Sequence, residues 1–297
     1  MRSFRLLPSL REKVWGTTRL GPWFPDTDAP VGEVWFTFDE NLTDLGPSLA
    51  ELMRTHGEDL MGAGRGGGPF PILTKFLFTA ERLSIQVHPE DEYARAHHNS
   101  PGKTEMWFVL RAEPGASIAV GFKEQFAPAV VRAAALDGAI EELVRWVPVA
   151  AGDTIFCPAG TVHAIGAGLA VCEIQQNSDI TYRLYDYGRP RELHLDESMA
   201  VADLGPHPGV TPPLSAAPGR QLLALCDYFA TELVEVRAPV EYAPEAARMH
   251  ILMVIQGTGT LDGKELEAGQ TWIVPASAPG FRVEPAGTLS FLRTFVP

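Results

Sequence analysis

The sequence predicts a mostly β fold: two small barrels with a few short helices. Three observations carry that expectation. From residue 71 onward, short alternating segments follow one another, "ILTKFLF", "EMWFVLR", "ASIAVGF", "DTIFCP", "AVCEIQQ" and "ITYRLYD" among them, each bounded by turn-forming residues. A Pro/Gly-rich stretch, "LGPHPGVTPPLSAAPGR" (204–220), reads as a connection, and more strands follow it. The two halves also share a pattern. "AGDTIFCPAGTVH" carries Gly152, Pro158 and His163, and "AGQTWIVPASAPG" carries Gly269, Pro275 and Gly280 at the same offsets. "TEMWFVL" (104–110) likewise lies on "MHILMVI" (249–255), which puts His250 where Glu105 stands.

In chain order, residues 1–43 are rich in Gly, Pro and Trp and contain one strand-like run, "VGEVWFTF". Residues 44–62 place Leu49, Leu52 and Met53 at helical spacing behind Asp and Ser, as in a surface helix. "GAGRGGGPFP" lacks the Lys-Ser/Thr ending and preceding strand of a phosphate loop and is read as a flexible turn. "EDEYARAHHNSPGK" (90–103) is read as a solvated loop and "AIEELVRWVPV" (139–149) as a brief helical interruption. The expected division is a first barrel with its N-terminal extension over 1–215 and a second, degenerate barrel over 216–297.

Composition narrows the function. The formal net charge of -13, from 24 basic and 37 acidic residues, argues against a nucleic-acid binder but leaves room for an anionic substrate held by local cations. No apolar run approaches the ~20 residues of a membrane span. The N-terminus has no export signal, and three unpatterned cysteines suit a reducing compartment, so a cytoplasmic location is expected.

The segment "LSIQVHP" aims Gln86 and His88 to one side of a strand. Glu105 begins the next strong strand, and His163 closes the Gly-x5-Pro turn. Two imidazoles, a carboxylate and an amide oxygen suit a divalent first-row metal, with zinc the usual occupant. A histidine required by the fold would recur in the second copy, whereas Gly280 stands there; the second barrel is therefore expected to hold no metal and to serve in packing or at an interface. Ser84 and Lys75 share the polar side with Gln86 and are candidate phosphate contacts. Glu173 and Asp179 are candidate proton-transfer groups, and neither is preferred on residue type alone.

The ligand pattern resembles the two motifs of the cupin superfamily, with glutamine replacing the first histidine. "WGTTRLG", "VGEVW", "FPILTKFLFTAERLSIQVHPEDEYA", "GKTEMWFVL", "PAGTVHAIGAG" and "EIQQNSDITYRLYDYGR" narrow the resemblance to type I mannose-6-phosphate isomerases of compact bacterial form. That resemblance implies jelly-roll barrels and one zinc per chain in the first barrel, on Gln86, His88, Glu105 and His163. It also implies an active-site arginine at Arg183, an active-site lysine at Lys103, and interconversion of mannose 6-phosphate and fructose 6-phosphate through an enediolate. The implied partner is a phosphosugar, with no nucleic acid or membrane, and the chain is expected to be a monomer or homodimer. A metal-dependent cupin oxygenase and a non-catalytic sugar-binding cupin are the alternatives; Lys103 and Arg183 favour an anionic substrate over the oxygenase.

Overall fold

The computed structural model describes residues 1–243 and 248–297. In chain order the first half holds β1 (Phe4–Leu6), β2 (Ser9–Thr17), β3 (Val31–Trp35), α1 (Leu49–Met61), β4 (Ile72–Thr79), β5 (Ile85–Val87) and α2 (Asp91–His98). It continues with β6 (Glu105–Ala112), β7 (Ser117–Phe122), α3 (Pro128–Asp137), α4 (Ile140–Leu143), β8 (Val144–Pro148), β9 (Thr154–Cys157) and β10 (His163–Ile165). Then come β11 (Leu169–Gln176), β12 (Tyr182–Tyr185), α5 (Leu195–Val201), β13 (Leu214–Ala217), β14 (Arg220–Leu225) and β15 (Ala230–Val236). The remainder is β16 (Val240–Tyr242), β17 (His250–Gln256), β18 (Thr258–Leu261), β19 (Lys264–Glu267), β20 (Thr271–Val274), β21 (Phe281–Pro285) and β22 (Leu289–Phe295).

These strands make four antiparallel sheets, two to each barrel. The first barrel faces a sheet of order β2-β3-β4-β11-β6-β9 against one of order β12-β5-β10-β7-β8. The second faces β1-β20-β17-β22-β15-β14-β13 against β16-β21-β18-β19. The mostly β, jelly-roll expectation therefore stands. β1 pairs with β20 residue for residue from Phe4↔Ile273 to Leu6↔Thr271, so the N-terminal strand completes a sheet made otherwise from the end of the chain.

Strand alternation separates three environments. Leu77, Trp107, Val109, Ile118, Val120 and Val171 fill the first barrel. Leu252, Val254, Trp272, Val283 and Phe291 fill the second. The outer faces of the two large sheets meet in one core containing Phe76, Phe78, Met106 and Phe108 with Ile251, Met253, Ile273 and Leu292. Each such buried side chain contributes about 1.5–3 kcal/mol, so this contact is a major source of stability. A fourth cluster puts Val131, Ala134 and Ala135 of α3 over Ile85, Val87 and Tyr182, on the outer face of the small sheet.

The duplication holds in register. Glu105 pairs with Cys157 as His250 pairs with Val274. Gly152 N–H donates to Val109 O and Gly269 N–H to Val254 O, both at 2.8 Å.

Several local expectations are corrected. The stretch read as a loop at 90–103 contains α2, whose first turn carries Asp91 and Glu92 and whose last turn carries Arg95, His97 and His98, an arrangement suited to the helix dipole. The interruption at 139–149 is helical only over α4; Val144–Pro148 is β8, which pairs with β7. The glycine run after α1 packs closely on that helix: a Cβ at Gly57 would lie 2.3 Å from Gly66 O. Helices α3 and α5 were not foreseen.

Candidate metal centre

Two cross-strand rows build the site. In the small sheet Arg183 pairs with Gln86, and Gln86 pairs with His163, so all three side chains emerge on the inner face. In the large sheet Gln175, Glu105 and Cys157 form one row. The adjacent row two residues along runs Trp35, Lys75, Glu173, Trp107 and Ile155. The polar face of "LSIQVHP" thus looks into the barrel, while Ile85 and Val87 look outward into the helical layer.

Among the described residues, ligand atoms of His88, Glu105 and His163 lie within 4.8 Å of one another. Glu105 Oε1 is 3.1 Å from His163 Nε2, and Glu105 Oε2 is 3.6 Å from His88 Nε2. Neither Glu105 oxygen accepts a hydrogen bond, although both are buried. His88 Nδ1 is 2.7 Å from Ile180 O, and His163 Nδ1 is 2.9 Å from Thr161 O. Those carbonyls require N–H at Nδ1, which turns both Nε2 lone pairs toward Glu105. A cation fits a carboxylate that faces two imidazole lone pairs. Gln86 reaches the same point with Nε2, 3.2 Å from His163 Nε2, while its Oε1 accepts from Ser84 Oγ at 3.0 Å. Exchanging the two ends of this amide would aim its oxygen at the centre.

Lys103 is buried with Nζ 3.5 Å from Glu105 Oε2. Its position is set by a network absent from the sequence reading: Asp91 Oδ1 accepts from Gly102 N–H (2.8 Å) and from Gln176 Nε2 (2.9 Å), and Gln176 Oε1 accepts from Thr104 N–H (2.9 Å). A Cβ at Gly102 would lie 2.6 Å from Asp91 N, so this close approach excludes a side chain. Lys75 and Glu173 are both buried, 3.3 Å apart. Lys75 Nζ lies 4.5 Å from the Trp35 ring centroid, and Glu173 Oε1 accepts from Trp107 Nε1 at 2.9 Å. Trp107 also sits 5.1 Å from the His163 ring, a part in the site that sequence reading missed. Arg183 is half-buried with Nε unpartnered, and Asp179 is exposed. His98 lies apart from the ligand cluster, with Nε2 2.5 Å from Tyr182 Oη, and His97 stacks on Tyr93.

Burial shapes the proton affinities. It lowers His88 well below 6.5, with Lys103 adding to the effect, and lowers His163 to about 4. It raises Glu105 from 4.5 to about 8 against the pull of Lys103. Burial alone would raise Glu173, but Lys75, Lys103 and the Trp107 N–H outweigh it and hold this carboxyl at about 2.

For the metal-stripped chain these shifts give a signed pH profile. The lowered histidines stabilise the fold above 6.5, and the His163 contribution is lost as pH falls through about 4. The raised Glu105 works oppositely: its contribution is complete below 4.5 and is lost as pH rises through about 8. Across pH 6.5–8 Glu105 dominates these three, so the melting temperature of the stripped chain should fall over that window. Thermal melts at fixed ionic strength test this, and a rising profile would contradict it.

Residues 3–106 match the family described as "Phosphomannose isomerase type I, catalytic domain". The chain is 40% identical to the mannose-6-phosphate isomerase ManA of Bacillus subtilis, over 66% of this chain and 67% of that protein. It is 33% identical to the mannose-6-phosphate isomerase of Streptococcus mutans, over 91% of each. The crystal structure of mannose 6-phosphate isomerase from Bacillus subtilis superposes with a TM-score of 0.89 at 30% identity, covering 99% of both chains. A variant of phosphomannose isomerase from Salmonella typhimurium, 20% identical with a TM-score of 0.79 over 98% of this chain and 99% of that one, shares the fold.

Proposed function

Because the chain belongs to the type I phosphomannose isomerase family, we propose that it interconverts mannose 6-phosphate and fructose 6-phosphate by proton transfer through an enediolate, with zinc as its metal. Enzymatic identity as an aldose–ketose isomerase follows from family membership. The observation that carries the site-level reading is Glu105, a buried carboxylate with only the Lys103 ammonium, 3.5 Å away, beside it among the described cations, facing two imidazoles whose Nδ1 atoms are tied to backbone. In this reading His88, Glu105, His163 and the Gln86 amide oxygen hold the ion. When bound, zinc supplies Lewis-acid polarisation of substrate oxygens.

The chain's own residues supply the rest. Arg183, on the same row as Gln86 and His163, offers a planar cation to negative charge that develops as the C2 proton leaves. Lys103, in the loop two residues before β6, lies beside Glu105 and is assigned to the substrate's reacting end. Glu173, held ionised and engaged at both oxygens, is a poor proton acceptor and sets the field with Lys75; Asp179, which is exposed, is left as the candidate proton-transfer carboxylate. Ser84 positions the Gln86 amide beside any contact with the substrate phosphate, and Lys75 is the cation behind that wall. All these groups lie in residues 1–215, the segment we assign to the catalytic barrel apart from β1 and the start of β13, which join the sheet of the second barrel.

A coupled assay of mannose 6-phosphate conversion, on chelator-treated chain with and without zinc, tests the reading. Zinc-restored turnover in the parent, reduced about 10²-fold or more in Arg183→Gln, is the expected outcome. Turnover indifferent to chelation would remove the metal from the proposal, and full activity in Arg183→Gln would remove the arginine.

A further inference from the structure

The strands of the first barrel face one another in a fixed order. Short connections join β4 to β5, β6 to β7, β8 to β9 and β10 to β11, so each of these strands crosses directly to its chain neighbour in the other sheet. The orders β4-β11-β6-β9 and β5-β10-β7-β8 therefore run strand over strand. One strand further out β12 comes over β3, and β2 is left beyond it as the edge of the large sheet. Arg183 of β12 and Arg11 of β2 thus flank the same open side of the barrel. Arg11 points inward by register, because it pairs with Glu33, and Glu33 pairs with the interior residue Leu77.

A line of groups leads from the ligand cluster to that open side. Lys75 stands one row from Glu105, and its Nζ lies 4.5 Å from the centroid of the buried Trp35 ring. The Arg11 guanidinium lies 5.2 Å from the same ring and 5.4 Å from that of Phe38. The two rings meet edge to face at 5.2 Å, and Trp35 Nε1 donates to Glu33 Oε2 at 2.6 Å, which fixes the indole. Glu33 is also 3.4 Å from Lys13 Nζ. Arg11 is held differently. Among the described residues its side chain makes no ion pair and no hydrogen bond, and its buried Nε has no partner. Aromatic contact positions the guanidinium while leaving its N–H donors unused. The lysines nearer the centre are engaged, Lys75 with Glu173 at 3.3 Å and Lys103 with Glu105 at 3.5 Å.

We propose that Arg11 is a specificity-determining contact to the C6 phosphate of the substrate, an assignment that rests on the isomerase reading above. The reacting carbons C1 and C2 belong beside Glu105, and the phosphate is carried at the other end of the sugar. Along the line from Glu105 through Lys75 and Trp35, that end reaches the open side of the barrel, where Arg11 waits with free donors. A planar guanidinium fork matches two phosphoryl oxygens, and Trp35 and Phe38 hold it in place beforehand.

Kinetics and calorimetry of the zinc-loaded chain test this. Arg11→Gln should raise KM for mannose 6-phosphate about 10–100-fold and leave kcat within about twofold, since a contact remote from the reacting carbons is made alike in ground and transition states. Arg11→Lys keeps the charge without the fork and should recover part of the loss. A parent KM in Arg11→Gln, or a fall in kcat at unchanged KM, overturns the proposal.

Glucitol 6-phosphate, which carries the phosphate but no carbonyl to isomerise, separates this contact from the reaction. It should bind the parent and lose the same factor in Arg11→Gln whether or not mannose 6-phosphate is turned over. Equal binding to parent and variant overturns the phosphate contact. Binding that depends on Arg11 in a parent without turnover overturns the isomerase reading alone, and no binding to the parent overturns both. Should Arg11→Gln fail to fold, crystals of the parent soaked with glucitol 6-phosphate decide. Phosphate within hydrogen-bond reach of the Arg11 guanidinium supports the contact; phosphate elsewhere, or none, overturns it.

Discussion

Glu105→Gln is expected to slow mannose 6-phosphate turnover roughly 10³-fold while leaving the melting temperature of the metal-stripped chain at pH 7 unchanged. Both halves follow from the same burial. Without a cation, Glu105 is raised to about 8 and carries a proton at neutral pH, so a neutral amide of the same shape replaces a neutral acid. Above pH 8 the parent must ionise a carboxyl whose burial outweighs the pull of Lys103, and the variant should then melt higher than the parent. With zinc present the order reverses. An ion that binds only the folded state adds about 4 kcal/mol at a thousandfold excess over its dissociation constant, and the parent should gain several degrees that the variant does not. Melts at pH 7 and 9, each with and without zinc, give four numbers that an ordinary packing defect could not reproduce. Equal zinc-induced shifts in parent and variant would sink the assignment of Glu105 as a ligand.

The convergence of these side chains was legible because their spacing and asymmetry both lie in the chain. Gln86 and His88 share a strand face, Glu105 opens a strand, and His163 has glycine as its counterpart at position 280. The duplication was legible too, since Gly152 and Gly269 occupy equivalent turns whose N–H groups reach the same carbonyl in each barrel. What escaped is tertiary. Trp107 reads as one more aromatic strand residue, and only the pairing of β6 with β11 puts its N–H on Glu173. Helix α2 was hidden by a polar sequence with Ala94 as its one buried residue; its job is to present Asp91 to Gly102 and Gln176. β1 offers three residues, too short to announce a partner lying 269 positions downstream (Ile273 opposite Phe4).

The buried Lys75–Glu173 pair yields the largest stability effect. Lys75→Met should destabilise the chain by about 3–5 kcal/mol, because Glu173 would keep its charge inside the barrel without its main partner. The double variant Lys75→Met/Glu173→Leu should recover most of that loss, since an apolar pair of similar volume avoids desolvating either ion. The coupling between the two changes should exceed about 2 kcal/mol in denaturant unfolding. Its pH dependence has a definite sign. The Glu173 contribution is present above 4.5 and disappears as pH falls through about 2. Lys75 is opposed by burial, yet Glu173, Glu33, Asp179 and Glu105 together raise it above 10.5, so its contribution is present below that value and fades at higher pH. Coupling should therefore be level from about pH 4.5 to 10.5. A pair that an apolar couple can replace without loss of stability is retained for another reason. Its row adjoins that of Glu105, and under the proposed proton transfer its two charges would set the field at the substrate carbon. The double variant should accordingly fold, bind zinc with the parent's thermal shift, and lose kcat far more than KM. If it folds and turns over like the parent, the pair is structural only. If it unfolds as readily as Lys75→Met alone, the electrostatic account of this barrel interior is wrong.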